Sequence, residues 1–337
     1  MFKKCLTLFA LTTMMVSLSG CTDSSESVDT GTVRIICPYG VGGTADLIAR
    51  KYALVAGELY PDKNFIVENM TGGDGFAAAT YFTELDADTT DLLIYGFGVI
   101  YRHDLGNKYN TEIVDFDRSE IYPIGVIDDR TWILYANPGT TIEDILVKAK
   151  DSGVKMSGGN PLSDPHLALG SLIAEEDGKT IVIPYDGGAS QKKALTDGEV
   201  DVFVGTTQAG KEEVEAGTLD AILSFSSKPF EGFIGPDGEE IDIPTVAGEN
   251  KHPALRKDVD YAQYILPSGG FIATRTGASE EWITEIEDIT KAVWNSPDYH
   301  EWIDEIMLNR KELYGVDAFN YVKEASFIAI NAFETLK

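Results

Sequence analysis

The residues best placed to do chemistry form a glycine-rich turn, Cys37-Pro-Tyr-Gly-Val-Gly-Gly-Thr-Ala-Asp46. The turn holds no obvious catalytic side chain. What it offers is backbone. Gly40, Gly42 and Gly43 let the chain turn sharply and approach a ligand closely. The amides that follow open a helix, where unpaired N–H groups and the helix dipole attract an anion. The chemistry on offer is capture of a negative group, with Tyr39, Gly42, Gly43 and Thr44 as its contacts.

Gly40 to Ala45 also fits G-x-G-x-x-A, the fingerprint of a dinucleotide-binding turn. The acidic residue expected on the next strand, Glu68, comes late because the first helix is long. The start of the chain weighs against this reading. Lys3 and Lys4 precede an apolar run, Leu6 to Leu18, and then Leu18-Ser-Gly-Cys21. This reads as a secretory signal over residues 1–20, and the run is too short for an ordinary membrane span. The tetrapeptide resembles the bacterial lipobox, so Cys21 is expected to carry lipid. Residues 21–32, rich in Ser, Asp and Thr, read as a flexible tether. An exported protein has little access to NAD or ATP, and no cofactor is expected. With Cys21 lipidated, Cys37 is left single, and it reads as a small buried residue ending a strand.

The chain has 27 Lys and Arg against 55 Asp and Glu, a formal charge of -28. Such acidity argues against nucleic acid or an anionic membrane surface as partner. The pairs Glu175-Glu176, Glu239-Glu240 and Glu280-Glu281 read as solvated faces. Enzyme readings fail on parts. The histidines at 103, 166, 252 and 300 show no H-E-x-x-H spacing and no His–Cys cluster. There is no G-x-S-x-G elbow. Asp115 and Asp117 are the nearest thing to a metal pair, and a surface loop explains them. No catalytic residue and no metal site is expected.

The elements that must position the turn alternate. Strands are predicted at Val33–Cys37, Asn64–Glu68, Asp91–Tyr95, Ile121–Ile127, Thr131–Ala136, Val154–Ser157, Thr180–Pro184, Val200–Val204 and Leu219–Ser224. Helical stretches lie between most of them, the first from Leu47 to Tyr60. This rhythm predicts βαβ units and mostly parallel sheets in about two domains, since roughly 310 residues are ample for two cores. From Phe230 to Pro244 the chain reads as a loop. Short strands are predicted at Tyr264–Leu266 and Gly270–Ala273, then helices at Glu280–Trp294, Pro297–Leu308 and Val316–Phe333.

Several segments together resemble one family, the substrate-binding component of tripartite tricarboxylate transporters, or Bug family of extracytoplasmic solute receptors. Pro38 to Asp46 follows the family's P-[FY]-x-P-G-G-x-x-D. Val67-Glu-Asn-Met-Thr-Gly-Gly-Asp-Gly75 echoes its V-x-E-N-x-x-G-A-G-G. Ser157-Gly-Gly-Asn-Pro-Leu-Ser-Asp-Pro-His-Leu167 is similar to its S-x-G-x-x-S-x-x-H-L, one residue longer. Ile183-Pro-Tyr-Asp-Gly-Gly188 is similar to V-P-Y-x-G-G. Gly198 to Val204 and Pro244-Thr245 add two more. Val41 replaces the usual loop proline, and Asp186 stands where Lys or Arg is common.

The resemblance implies an α/β, type II periplasmic-binding-protein fold of two α/β domains with a ligand cleft between them. The crossings are expected near Ile127–Arg130 and Ser224–Lys228. That gives residues 33–128 plus 227–337 as one domain and 129–226 as the other. It also implies a lipid-anchored monomer on the outer face of a bacterial membrane. Such a receptor captures a small organic anion, a carboxylate above all, and delivers it to membrane permease subunits. The alternatives are a ligand sensor for a signalling protein, or an exported enzyme acting on an anionic substrate.

Ligands of open α/β sheets sit at the C-terminal ends of the strands. That places Gly73 and Asp74, then Gly96 and Phe97, beside the first turn. Ser157, Ser163, His166, Tyr185, Gly187 and Gly188 stand opposite. Other readings fit some of these. Asp46 and Arg50 match a helix pair, Ser163 matches an N-cap before Pro165, and His166 matches a packing residue. Phe97, Trp132, Trp282, Trp294 and Trp302 suit the core by size.

Overall fold

A computed structural model describes residues 31–109, 116–159, 162–185 and 187–337. The expected signal peptide, most of the expected tether, Cys21, Asp115 and Asp186 lie outside the described residues, as does the side chain of Asp74. No helix among the described residues is long and apolar enough to cross a membrane.

Two five-stranded sheets share one plan. The first contains β1 (Thr32–Cys37), β2 (Asn64–Asn69), β3 (Leu92–Gly96), β4 (Ile121–Asp129) and β10 (Gly269–Arg275), in the order β2-β1-β3-β10-β4. The second contains β5 (Trp132–Ala136), β6 (Val154–Gly158), β7 (Thr180–Pro184), β8 (Val202–Thr206) and β9 (Asp220–Ser224), in the order β7-β6-β8-β5-β9. In each, three strands run parallel and the fourth runs antiparallel to both its neighbours. The central strands are buried on both faces and read as continuous apolar runs, Leu92–Ile94 and Val202–Val204. Edge strand β2 alternates exposed and half-buried residues instead.

Helices cover the faces. In the first half these are α1 (Thr44–Leu59), α2 (Phe76–Thr83), α3 (Phe97–Tyr109), α8 (Glu280–Trp294) and α9 (Pro297–Glu305). In the second they are α4 (Ile142–Asp151), α5 (Asp164–Glu175), α6 (Gly187–Thr196) and α7 (Thr207–Glu215). Their starts follow local chemistry. Thr141 and Asp144 form a reciprocal capping box on α4, and Ser279 and Ser296 cap α8 and α9 through their hydroxyls. The last helix, α10 (Gly315–Thr335), packs on both α3 and α5. Ser171 on α5 donates to its Ala332 carbonyl at 2.9 Å.

One apolar cluster runs through both halves, joining Ile36 and Tyr95 to Met156 and Leu167. A second fills the space under α1, α8 and α9, with Trp294 stacked on Tyr299 at its centre. A third lies on the other face of the second sheet. Phe233 and Ile243, from the expected Phe230–Pro244 loop, are fully buried there beside Ile133 and Tyr135. Two isolated antiparallel bridges, Phe230 to Ile243 and Ile234 to Glu240, pin that loop. Tyr264–Leu266 is not a strand. The chain makes a 3-10 turn over Tyr261–Tyr264, and the two tyrosine hydroxyls donate to Glu176 and Glu175 at the C-terminal end of α5. Aromatic residues favour a strand by propensity, and docking on α5 outweighs that preference.

Candidate functional site

Asp46 organises the first turn. Its carboxylate is 1 % exposed. One oxygen accepts the Gly42 amide at 2.8 Å and Arg50 Nε at 2.9 Å. The other accepts Asn69 Nδ2 at 2.8 Å and the Arg50 guanidinium at 2.9 Å. Burial works to raise the carboxyl's pKa, but Arg50, the Gly42 amide and Asn69 outweigh it and hold it below the usual range. Asn69 Nδ2 also donates to the Tyr39 carbonyl. The i,i+4 pair is therefore real, and it does more than decorate a helix: it fastens the turn to β2. The cost falls on two expected contacts. The Gly42 amide is spent on Asp46, and the Gly43 amide points back to the Gly40 carbonyl at 3.3 Å. Thr44 and Ala45 follow in the first turn of α1, where no preceding carbonyl can reach them.

The second turn is built for close approach. Gly72, Gly73 and Gly75 all have positive φ, at 135°, 56° and 101°. The Tyr39 hydroxyl lies across it, 3.5 Å from where a Cβ on Gly75 would stand and 3.2 Å from one on Gly96. Tyr39 thus lies beside Gly75 and Gly96. Phe97 does not join them through its ring. It is fully buried, stacked on Phe271 with centroids 5.8 Å apart and edge-on to Tyr321. The correction is one of geometry: the side chain belongs to the core, and only the start of α3 faces the turn.

In the second half, Ser157 is the last residue but one of β6 and is fully buried, and its hydroxyl has no hydrogen-bond partner among the described residues. The Ser163 hydroxyl is buried and unpaired as well. Ser163 occupies the N-cap position of α5, yet its side chain makes no capping bond. Ser163 lies beside the end of β6: a Cβ on Gly158 would stand 3.9 Å from Ser163 Oγ. His166 approaches Thr180 Oγ1 at 3.3 Å. The Tyr185 hydroxyl is committed to Glu199. Gly187 and Gly188 open α6, and a Cβ on Gly188 would meet nothing within 4 Å.

The two halves touch along a seam at the ends of the strands. Thr44 Oγ1 donates to Gln208 Oε1 at 3.3 Å, and Thr207 Oγ1 donates to the Met307 carbonyl at 2.6 Å. The Asp164 carboxylate, at the start of α5, lies against Gly98 in the first turn of α3. Burial, with the Asp164 carboxylate nearby, pushes the Tyr101 phenol's pKa well above its ordinary value. At the crossing between the sheets, Arg130 grips the fully buried Asp128, the second contact being 3.2 Å. Burial opposes the Arg130 charge, but Asp128 beside it raises its pKa above the usual value. Trp132 pairs in register with Thr206, and its buried Nε1–H has no partner among the described residues.

The sequence did not mark Asp164, Tyr101, Arg130 or Gln208 as site candidates, and it gave Trp132 to the core. Asp164 carried a faint signal, an acid inside the Ser-x-x-His segment. Arg130 carried another, a lone Arg at an expected crossing. The rest carried none. No group of three His, Cys, Asp or Glu that could hold a metal occurs among the described residues. The arrangement collects hydrogen-bond donors, hydroxyls and helix starts, and suits capture better than turnover.

No protein-family model matches the chain. A UPF0065 protein from Bordetella pertussis is 26% identical over 220 residues, which cover 63% of this chain and 66% of that protein, just under two thirds. Among solved structures, a Rhodopseudomonas palustris protein with adipate matches at a TM-score of 0.72 and 21% identity, covering 90% of this chain and 97% of that one. A TctC solute-binding protein from Polaromonas matches at 0.64 and 18% identity, covering 90% and 98%. These likenesses show the type II periplasmic-binding-protein fold, two α/β domains about a cleft. The chain is thus similar in sequence to a UPF0065 protein and in fold to solute-binding proteins of the TctC type.

Proposed function

We propose that the chain captures a small organic carboxylate in the seam between its two halves and passes it to the permease of a tripartite tricarboxylate transporter. It acts as an exported monomer held to the outer face of a bacterial membrane through Cys21. The domains are residues 33–128 with 227–337, and 129–226, with the Phe230–Ile243 segment lying on the second. The observation that carries this reading is that two buried hydroxyls, Ser157 near the end of β6 and Ser163 at the N-cap of α5, have no hydrogen-bond partner among the described residues. A buried polar group without a partner costs about 1–3 kcal/mol, and a bound carboxylate would accept from both. The α1 start at Thr44 and the glycine turns at Gly73 and Gly96 face it from the other half. The adipate held by the R. palustris protein supports the ligand class. Binding draws the halves together and involves no covalent step.

A thermal-shift screen of mono-, di- and tricarboxylates, amino acids and phosphates tests this. A ligand at 100 times its Kd adds about 2.7 kcal/mol, which for a chain of this length is about 5 °C in Tm. A shift with at least one carboxylate is expected. No shift with any organic acid, or consumption of a hit followed by NMR, overturns the reading.

A further inference from the structure

Beyond α9, residues 307–314 run antiparallel along the outer edge of β4, the last strand of the first sheet. The Val126 amide donates to the Leu313 carbonyl at 2.9 Å, and Tyr314 bridges Gly125. Where β4 crosses to the second sheet, Asp129 and Asn309 exchange both backbone hydrogen bonds, at 3.0 and 3.1 Å. Asn309 Nδ2 donates to Thr131 Oγ1 at 3.3 Å, and Lys311 pairs with the Asp129 carboxylate at 3.3 Å. Just before this crossing the segment divides between two cores. Leu308 is buried in the cluster under α1, α8 and α9. Its neighbour Met307 packs on the third cluster, against the second sheet. Met307 has a φ of 56°, in the left-handed region that residues other than glycine seldom adopt. Its carbonyl accepts Thr207 Oγ1 at 2.6 Å. Thr207 is buried in the first turn of α7, and the next residue, Gln208, is the one that meets Thr44 across the seam. The start of α7 is thus gripped from two sides.

We propose that residues 307–309 are a strap across the hinge, which holds the second half of the molecule against the first before any ligand arrives. The backbone passes between the sheets after β4 and returns between β9 and β10. Rotation of one half against the other is absorbed at a few such connecting residues. The strap adds a third connection, made of packing and hydrogen bonds. Leu308 fixes it in the first half, while Met307 and its carbonyl hold the second. A rotation that parts Thr44 from Gln208 therefore also pulls on the Thr207–Met307 bond and on the Met307 side chain. Opening costs both contacts, and their strength sets what fraction of the chain stands open. The proposal concerns the chain without ligand and is independent of what the seam takes.

The test is hydrogen exchange and small-angle X-ray scattering of the full chain with no ligand added. Thr207→Val keeps the side chain's shape and removes the donor. Met307→Gly removes the side chain from the third cluster and suits the positive φ. In each variant the Asp129 and Asn309 amides are expected to exchange at least tenfold faster, while amides of β1 and β3 keep their rates. The radius of gyration is expected to rise in both. Thr207→Ser retains the hydroxyl and is expected to match the unaltered chain. Unchanged exchange and scattering in both variants overturns the strap. So does faster exchange spread evenly over both sheets with no rise in radius, which reports lost packing alone. Thr207→Ser behaving as Thr207→Val overturns it too. Each of these failures leaves the carboxylate reading standing, because no ligand enters the measurement.

Discussion

Removing the Asp46 side chain tests how the first turn is held. In Asp46→Ala the Gly42 amide and the Asn69 side-chain amide lose an ionised acceptor at 2.8 Å each. Hydrogen bonds to a charged group contribute about 1.5–3 kcal/mol, and a donor left buried and unmade costs about 1–3 kcal/mol. Arg50 is nearly half exposed, so water recovers its share and it adds little. The two orphaned donors share one acceptor and do not add fully. The expected loss is about 3 kcal/mol, or about 5 °C in Tm for a chain of this length. Urea unfolding followed by tryptophan fluorescence measures it.

The same carboxylate carries a pH signature. Its pKa in the folded chain lies below its ordinary value of 3.8. It therefore contributes stability in full above that unfolded value, and the contribution disappears as pH falls through the folded value. Below about pH 4 the unaltered chain should lose stability more steeply than Asp46→Ala. Arg50→Ala should remain near the unaltered chain at neutral pH. A loss under about 1 kcal/mol in Asp46→Ala, or parallel stability curves through the acid range, would refute the view that Asp46 fastens the turn.

Two further outcomes follow from the seam. Arg130→Met strands the fully buried Asp128 without its counter-charge and should cost about 3–5 kcal/mol; the double variant with Asp128→Asn should recover most of it, and failure to recover sinks the pairing argument. Ser157→Ala and Ser163→Ala remove hydroxyls that have no partner among the described residues. Each should leave Tm unchanged or slightly raised in the absence of ligand, while weakening the screened carboxylate at least tenfold by titration. Full affinity in the double variant would remove the hydroxyls from the site.

Much of this was legible locally. The strand, turn and helix from Val33 to Tyr60 follow from a short apolar run, adjacent glycines and an amphipathic stretch, all within one window of sequence. Helices α8 and α9 announce themselves through Ser279, Ser296 and Pro297, because capping needs only the next few residues. Cys37 read as buried and is fully so, with its thiol pushed up by that burial. Tyr264–Leu266 failed because its state depends on Glu175 and Glu176, about ninety positions away. Phe97 failed because adjacency to glycines says where a backbone lies, while its ring followed Phe271 and Tyr321 into the core.

The site divides along the same line. By itself the sequence determined where the chain turns, which amides open helices and which family pattern those turns follow, because turn geometry and capping are set by neighbours in the chain. Only the tertiary structure decided which of those groups remain available. Gly42 lost its amide to Asp46, and Tyr185 gave its hydroxyl to Glu199. Ser157 and Ser163 kept theirs, and Asp164 met Gly98 from the opposite half. A hydrogen-bond donor is spent or spare according to what packs against it, and in this fold those partners come from segments distant in sequence.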